Sequence, residues 1–369
     1  MPSRVKLFML LLLPVTLLSC SSWGSKPTEQ QKERYAQSPN YRVSEERFVN
    51  RNQSEVDAMW DTVWNVENFW KFFTNDAETK PPAPLPEVKP DFSQLQESHD
   101  DLNVIWFGHS SFLLDISDKL VLVDPLFGNA GPFPFLGRRF QKPVVTAKEL
   151  PEVDVILISH DHYDHLETKT MRFYAEKDVV FVVPLGIGRL LIEWGIDPKR
   201  VTELDWWQSA DIADLKFTAA PSQHYSGRRG FANNDTLWAS WVVKSDKHNV
   251  YFSGDSAYNT HFAKIGERFG PFDIAFLENG QFSPVSRQVH MFPEDAVQAF
   301  EDLNAKKLFP VHWGMFSLAS HDWNKPIRDI DRMASDKGIE LVAPRIGELL
   351  NVDKPYFLER WWEAVRPGG

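Results

Sequence analysis

Three histidines and two aspartates fall within six residues, in His160-Asp161-His162-Tyr163-Asp164-His165. Imidazole nitrogens and carboxylate oxygens are ligands suited to zinc, which takes about four of them. Four such groups on an extended strand cannot all reach one ion. On a tight loop they can be shared between two neighbouring ions. The preceding residues, Val153 to Ile158, form a continuous apolar run of the kind that makes a strand buried on both faces. The cluster therefore sits just past a strand end, where a loop can gather it, and metal binding is the chemistry its composition points to.

His-x-His-x-Asp-His after an apolar strand resembles the signature of the metallo-β-lactamase superfamily. The superfamily's remaining blocks follow in the expected order. Pro221-Ser222-Gln223-His224 supplies a histidine, Phe252-Ser253-Gly254-Asp255 an aspartate and Val311-His312-Trp313-Gly314 the last histidine. The resemblance implies that His160, His162 and His224 hold one zinc. Asp164, His165 and His312 would hold a second, with Asp255 bridging. Upstream, Val121-Leu122-Val123-Asp124-Pro125 matches an early strand ending in Asp. Asp124 is expected to position a ligand histidine rather than bind metal itself.

The likeness narrows to the N-acyl-phosphatidylethanolamine-hydrolysing phospholipase D family. It runs from about Gly108 to Gly338. It is carried by Gly108-His109-Ser110-Ser111, Asp124-Pro125-Leu126-Phe127, Leu204-Asp205-Trp206-Trp207, Leu237-Trp238-Ala239-Ser240-Trp241 and Phe269-Gly270-Pro271-Phe272-Asp273. That likeness implies a phosphodiesterase in which two Zn²⁺ lower the pKa of a bridging water, and the resulting hydroxide attacks phosphorus. Mn²⁺ or Fe²⁺ fits the same ligand types. Asp164 and His290, which lies in Val289-His290-Met291-Phe292-Pro293, are the catalytic residues this implies. His290 would donate a proton to the leaving group or orient the phosphate. A lactonase or other hydrolase on the same metal pair, and a non-catalytic zinc-binding envelope lipoprotein, are the competing readings. The substrate expected is a phospholipid or other phosphodiester, and the family likeness leaves room for a homodimer.

These residues need a scaffold. Beyond Val153–Ile158, strands are expected at Val104–Phe107, Ser111–Ile116 and Leu120–Val123, with a turn at Ser117-Asp118-Lys119. Others are expected at Val179–Val183, Phe217–Ala220, Leu237–Val243, Val250–Ser253 and Ile274–Leu277. Helical stretches fall near 168–176, 186–194, 260–268 and 293–304. Strands and helices mix throughout, so the class is α/β or α+β. The superfamily likeness makes it a four-layer αββα sandwich over residues 101–369. His321 is expected to be structural or at the rim, and His99, His248 and His261 to lie at the surface. The loop from Leu126 to Phe140, with Phe133, Phe135, Arg138 and Arg139, suits either a lipid phosphate or ordinary packing.

The first hundred residues differ. Arg4 and Lys6 precede an apolar run from Leu7 to Leu18, too short to span a membrane and suited to a secretory signal. Leu17-Leu18-Ser19-Cys20 resembles a bacterial lipobox. Residues 1–19 are therefore expected to be a lipoprotein signal peptide. A lipidated Cys20, the chain's only cysteine, would anchor the protein to the cell envelope, with Ser21 favouring the outer membrane facing the periplasm. Residues 20–100 are expected as a linker, polar to about residue 45, and an amphipathic helix over Glu45–Phe73 carrying Trp60, Trp64, Phe69 and Trp70. Prolines between 81 and 90 mark a connector. The formal net charge of −11 argues against nucleic acid as a partner, since a phosphate backbone needs a basic face.

Overall fold

The computed structural model describes residues 22–63, 76–95, 100–133, 135–229 and 233–366. Cys20 and its preceding run, His99, and Trp64, Phe69, Trp70 and Phe73 lie outside the described residues.

Two seven-stranded sheets form, and their inner strands are too hydrophobic to face water on either side. One joins β3 (Asn103–Trp106), β4 (Phe112–Ile116), β5 (Lys119–Val123), β6 (Val155–Leu157), β7 (Val180–Pro184), β8 (Val201–Leu204) and β16 (Leu349–Asn351), in the order β16-β3-β4-β5-β6-β7-β8. The other joins β9 (Ser209–Ile212), β10 (Leu215–Ala220), β11 (Ser240–Lys244), β12 (Asn249–Phe252), β13 (Ile274–Glu278), β14 (Lys307–Val311) and β15 (Glu340–Leu341), in the order β15-β14-β13-β12-β11-β10-β9. A hairpin joins β4 to β5 through Ser117 and Asp118, both in the left-handed region (φ 51° and 58°), which matches the twist of the flanking strands.

Successive side chains on a strand point to opposite faces. Phe112, Leu114 and Ile116 of β4 face the second sheet, where Phe112 stacks on Phe276 of β13 at 4.2 Å. Leu113 of β4, with Leu122 and Ile156, faces the other way, into a cluster with α3 (Thr168–Tyr174) and α4 (Ile187–Glu193) through Met171, Tyr174, Leu190 and Leu191. The far side of the second sheet is covered by α5 (His261–Phe269), α6 (Pro293–Asp302) and α7 (Lys325–Lys337). There Tyr251 meets Phe262, and Val297, Phe300, Ile327 and Ile330 add apolar bulk. The result is a helix–sheet–sheet–helix sandwich, as expected.

The N-terminal segment departs from expectation. Residues 22–45 are not a featureless linker. Thr28 caps α1 (Glu29–Tyr35) by accepting from Gln31 N, and Gln31 reaches back to Thr28 N. A short hairpin of β1 (Tyr41–Arg42) and β2 (Arg47–Phe48) follows. Tyr35, Tyr41 and Phe48 pack together and join the main core, which offsets the polarity of their surroundings. The expected helix from Glu45 begins only at α2 (Gln53–Val63), because the hairpin consumes the residues before it.

Candidate metal centre

The loop after β6 carries His160 to His165 at the edge where the two sheets meet. Four loops from the second sheet converge on it. His224 follows β10, Asp255 follows β12, His290 precedes α6 and His312 follows β14. The backbone is drawn tightly here. His109, Asp124 and His312 adopt left-handed φ of 55°, 38° and 70°, a conformation that costs a non-glycine residue energy. Gly254 (φ 55°) precedes Asp255, and a Cβ there would lie 2.8 Å from Ser159 Cβ and 2.9 Å from Ala239 O.

The seven residues named from the sequence as ligands form two adjoining groups. In the first, His160 Nε2 and His162 Nδ1 are 2.9 Å apart, and His162 Nδ1 and His224 Nε2 3.2 Å. Asp255 Oδ2 stands 3.8 Å from His160 Nε2 and 3.7 Å from His224 Nε2. In the second, His165 Nε2 is 3.6 Å from Asp164 Oδ2 and 3.3 Å from Asp255 Oδ1, which is 3.1 Å from His312 Nδ1. Two atoms each about 2.1 Å from one tetrahedral ion stand about 3.4 Å apart, so both sets of spacings suit a metal ion. Asp255 turns one oxygen to each group. His165 Nε2 and Asp255 Oδ1 are buried and have no hydrogen-bond partner, a costly arrangement that ligation would relieve. The donor set therefore fits a metal pair.

The electrostatics agree. Burial drives His160, His224 and His312 well below the usual imidazole pKa, toward the neutral form a metal requires. Burial also opposes charge on His165, but Asp255, Asp164 and Asp124 outweigh it and raise its pKa. A divalent ion bound here would replace that proton as the carboxylates' counter-charge. Asp124, fully buried, accepts from Ser159 N (2.7 Å), Ser159 Oγ (2.5 Å) and His165 Nδ1 (2.7 Å). His224 Nδ1 donates to Val289 O at 2.9 Å. These bonds leave the Nε2 lone pairs of His165 and His224 facing the cluster.

Several neighbours were not legible as site residues. His109 stands in the second group, its Nε2 3.0 Å from Asp164 Oδ2. Its Gly-His-Ser-Ser block signalled a family, not a role. Asn50 clamps the His224 backbone from both sides, donating to its O at 2.8 Å and accepting from its N at 3.1 Å. Arg228 staples the histidine loop by donating to Asp161 O and Leu166 O. Glu278, the last residue of β13, accepts from His290 Nδ1. Burial opposes charge on His290, yet the Glu278 carboxylate pushes its pKa up to about 9. No spacing rule joins residues so far apart in the chain.

Other expectations are corrected. His248 and His261 are buried, not surface residues. His248 Nε2 donates to Asp100 O, and His261 lies against Ser256 and Phe262. Arg139 does not reach the site. It donates to Leu126 O and lies over Phe316, where burial lowers its pKa to about 10. His321 spans Gly280 O and Asp322 O, a structural role as expected.

Above the cluster opens a cavity of about 510 Å³. His162, Asp164, Asp255, His290 and His312 line its polar end. Met59 and Trp60 of α2, with Tyr225, Val285, Val289 and Leu318, form apolar walls. Trp60 meets Tyr225 edge-on at 4.9 Å, and Val56 and Met59 pack on Val289.

Comparison with known proteins adds to this geometry. Residues 119–313 match the family model described as the β-lactamase superfamily domain. The chain is 37% identical over 332 residues to uncharacterized protein Rv0906 of Mycobacterium tuberculosis, covering 88% of each. It is 29% identical over 272 residues to N-acyl-phosphatidylethanolamine-hydrolyzing phospholipase D 1 of Caenorhabditis elegans, covering 68% of this chain and 76% of that one. A stretch of 94 residues, 26% of this chain and 70% of the other, is 45% identical to outer membrane protein RomA of Klebsiella pneumoniae. The fold matches that of Igni18, a metallo hydrolase from Ignicoccus hospitalis, at a TM-score of 0.54 and 20% identity, covering 68% of this chain and 98% of that one.

Proposed function

Because this chain belongs to the metallo-β-lactamase superfamily and is on that ground a metal-dependent hydrolase, we propose that it acts on lipid phosphodiesters. The reaction is a cleavage of phospholipase D type on N-acyl-phosphatidylethanolamine-like lipids, with two zinc ions as cofactor. The observation that carries this reading is the shape of the cavity. Its polar end is the paired cluster, and Met59, Trp60, Tyr225, Val285, Val289 and Leu318 make much of its wall apolar, with Gln281, Ser283, Ser286 and Ser320 between them. A molecule with an anionic head and an acyl tail complements both. The name of the nematode relative is in keeping with that substrate.

His160, His162 and His224 are the residues for one ion, Asp164, His165 and His312 for the other, and Asp255 for both. Bound there, zinc supplies Lewis acidity toward phosphoryl oxygens and lowers the pKa of water. The chain's own groups orient the reaction. Asp124 fixes the His165 ring. His290, on the cavity wall, passes a proton to the departing oxygen. Met59, Trp60 and Leu318 seat the acyl chain and exclude water. No helix among the described residues is long and apolar enough to cross a membrane. The proposed envelope location rests on lipidated Cys20, and the name of the Klebsiella relative is in line with it.

A lactonase is the second reading. No Lys or Arg is among the described residues lining the cavity, so a neutral ester would forgo no cationic contact there. The two readings are separated by assaying zinc-loaded protein lacking residues 1–20. The panel is N-acylated and ordinary phosphatidylethanolamine, a phosphodiester chromogen and a lactone. Release of phosphatidic acid supports the phosphodiesterase. Turnover of the lactone alone supports the second reading, and no turnover with metal bound refutes both.

A further inference from the structure

Glu278 is an anomaly in its strand. β13 reads Ile274-Ala275-Phe276-Leu277-Glu278, is buried throughout, and ends on a carboxylate with no exposed surface. Burying a carboxylate is expensive unless its oxygens are fully engaged. It is not in either of the two four-residue groups suited to a metal ion. Its oxygens are committed elsewhere. Oε2 accepts Ser256 N–H at 2.6 Å, and Oε1 accepts His290 Nδ1–H. Ser256 follows Asp255 directly, so one carboxylate ties the His290 ring to the loop of the shared aspartate.

The consequence is orientation. With Nδ1 held inward, the His290 ring can offer only Nε2 to the cavity it lines. The ring is pinned on both flanks, 5.1 Å from the His224 ring and 5.6 Å from that of His312. A buried carboxylate on one imidazole nitrogen fixes ring and tautomer and strengthens the other nitrogen as a proton carrier.

We propose that Glu278 is the positioning residue for His290, aiming Nε2 at the leaving-group oxygen of a bound ester. The proposal rests on the phosphodiesterase reading for its substrate. In the step, a water oxygen bonds to phosphorus as the bond from phosphorus to the alcohol oxygen breaks. Nε2 gives one proton to that departing oxygen and recovers one from the attacking water, so the ring ends as it began.

The test compares Glu278→Gln, His290→Ala and the double variant on two phosphodiesters, an alkyl ester and bis(4-nitrophenyl) phosphate. An alkoxide needs a proton to depart, whereas 4-nitrophenolate leaves without one. Proton donation is worth about 100- to 10,000-fold, so losing its aim is expected to lower kcat on the alkyl ester about 10- to 100-fold, with KM and zinc content unchanged. The loss on the nitrophenyl ester is expected to be about 3-fold or less, because it forgoes that donation. The double variant is expected to match His290→Ala, since Glu278 acts through that ring. Equal losses on both esters, a double variant multiplicatively worse, or loss of zinc from Glu278→Gln overturns the proposal. A second readout needs no turnover. The zinc-loaded wild type is expected to show a strongly deshielded Nδ1 proton by NMR, absent in His290→Ala. Its absence from the wild type overturns the proposal even if Glu278→Gln does not fold. A wild type that leaves both phosphodiesters intact but shows that proton overturns the phosphodiesterase reading alone.

Discussion

Asp124→Asn changes one atom and removes little volume, yet it is expected to weaken metal binding severely. Three donors converge on the native carboxylate: Ser159 N on Oδ1, and Ser159 Oγ and His165 Nδ1 on Oδ2. An amide has one oxygen and one NH₂, so two orientations arise. If NH₂ faces Ser159 N–H, two donors oppose each other in the core, at a cost of about 1–3 kcal/mol. If NH₂ faces His165, the ring must accept at Nδ1 and move its proton to Nε2. That is the atom 3.3 Å from Asp255 Oδ1 and 3.6 Å from Asp164 Oδ2, and once protonated it cannot ligate. Partners behind a ligand histidine typically contribute 10- to 100-fold in metal affinity, so the expected loss is about 1.4–2.8 kcal/mol. Chelator competition with zinc analysis measures it directly. Thermal unfolding with and without zinc reads it again, because a ligand bound only to the native state raises Tm. If Asp124→Asn binds zinc as tightly as wild type while His165→Ala does not, the role assigned to Asp124 is refuted.

Three further outcomes are expected. His165→Ala loses zinc and activity together, whereas His290→Ala keeps zinc and loses about 100- to 10,000-fold in kcat; retention of both zinc and rate in the second variant would remove His290 from the mechanism. Trp60→Ala strips an apolar wall worth about 1.5–3 kcal/mol, so kcat/KM on a long-chain lipid falls about 10- to 100-fold, while hydrolysis of a water-soluble chromogen barely changes; parallel losses on both substrates would contradict an acyl-binding wall. His248 titrates above the usual imidazole value, chiefly through the Asp273 carboxylate 3.7 Å from its Nδ1, with burial opposing. Its contribution is complete below the unfolded pKa near 6.5 and fades as pH rises through the higher folded value. Urea midpoints from pH 6 to 9 should therefore fall more steeply for wild type than for His248→Gln, and matching slopes would count against the pairing.

The parts of this molecule that repeat at short range were legible in its sequence. The run before His160 and the short apolar runs at 112–116 and 119–123 each satisfy a local rule, and the structure makes strands of them. Elements that break a local rule for a tertiary reason were missed. β14 contains Pro310, which ordinarily argues against a sheet interior. It is tolerated because β15 pairs only with Lys307 and Leu308, leaving no partner that needs a donor at residue 310. In α7 a dense run of charges hides the stripe of Ile327, Ile330 and Ala334 that packs on the core.

The same logic separates what could be read of the site from what could not. Seven ligand candidates announce themselves because their side chains cluster in the chain or sit in recognisable blocks. Asp124 apart, the groups that hold them have ordinary identities at unremarkable positions, and only the fold brings them close. Asn50 clamps His224 from a stretch expected to be the start of an amphipathic helix, and α2 supplies Met59 and Trp60 to the cavity wall. The site therefore draws on both sides of residue 100, where composition alone divides the chain. A single buried carboxylate behind His290 makes the point most sharply. In the sequence Glu278 is one acidic residue ending an apolar run, and in the structure it decides which face of an imidazole meets the cavity.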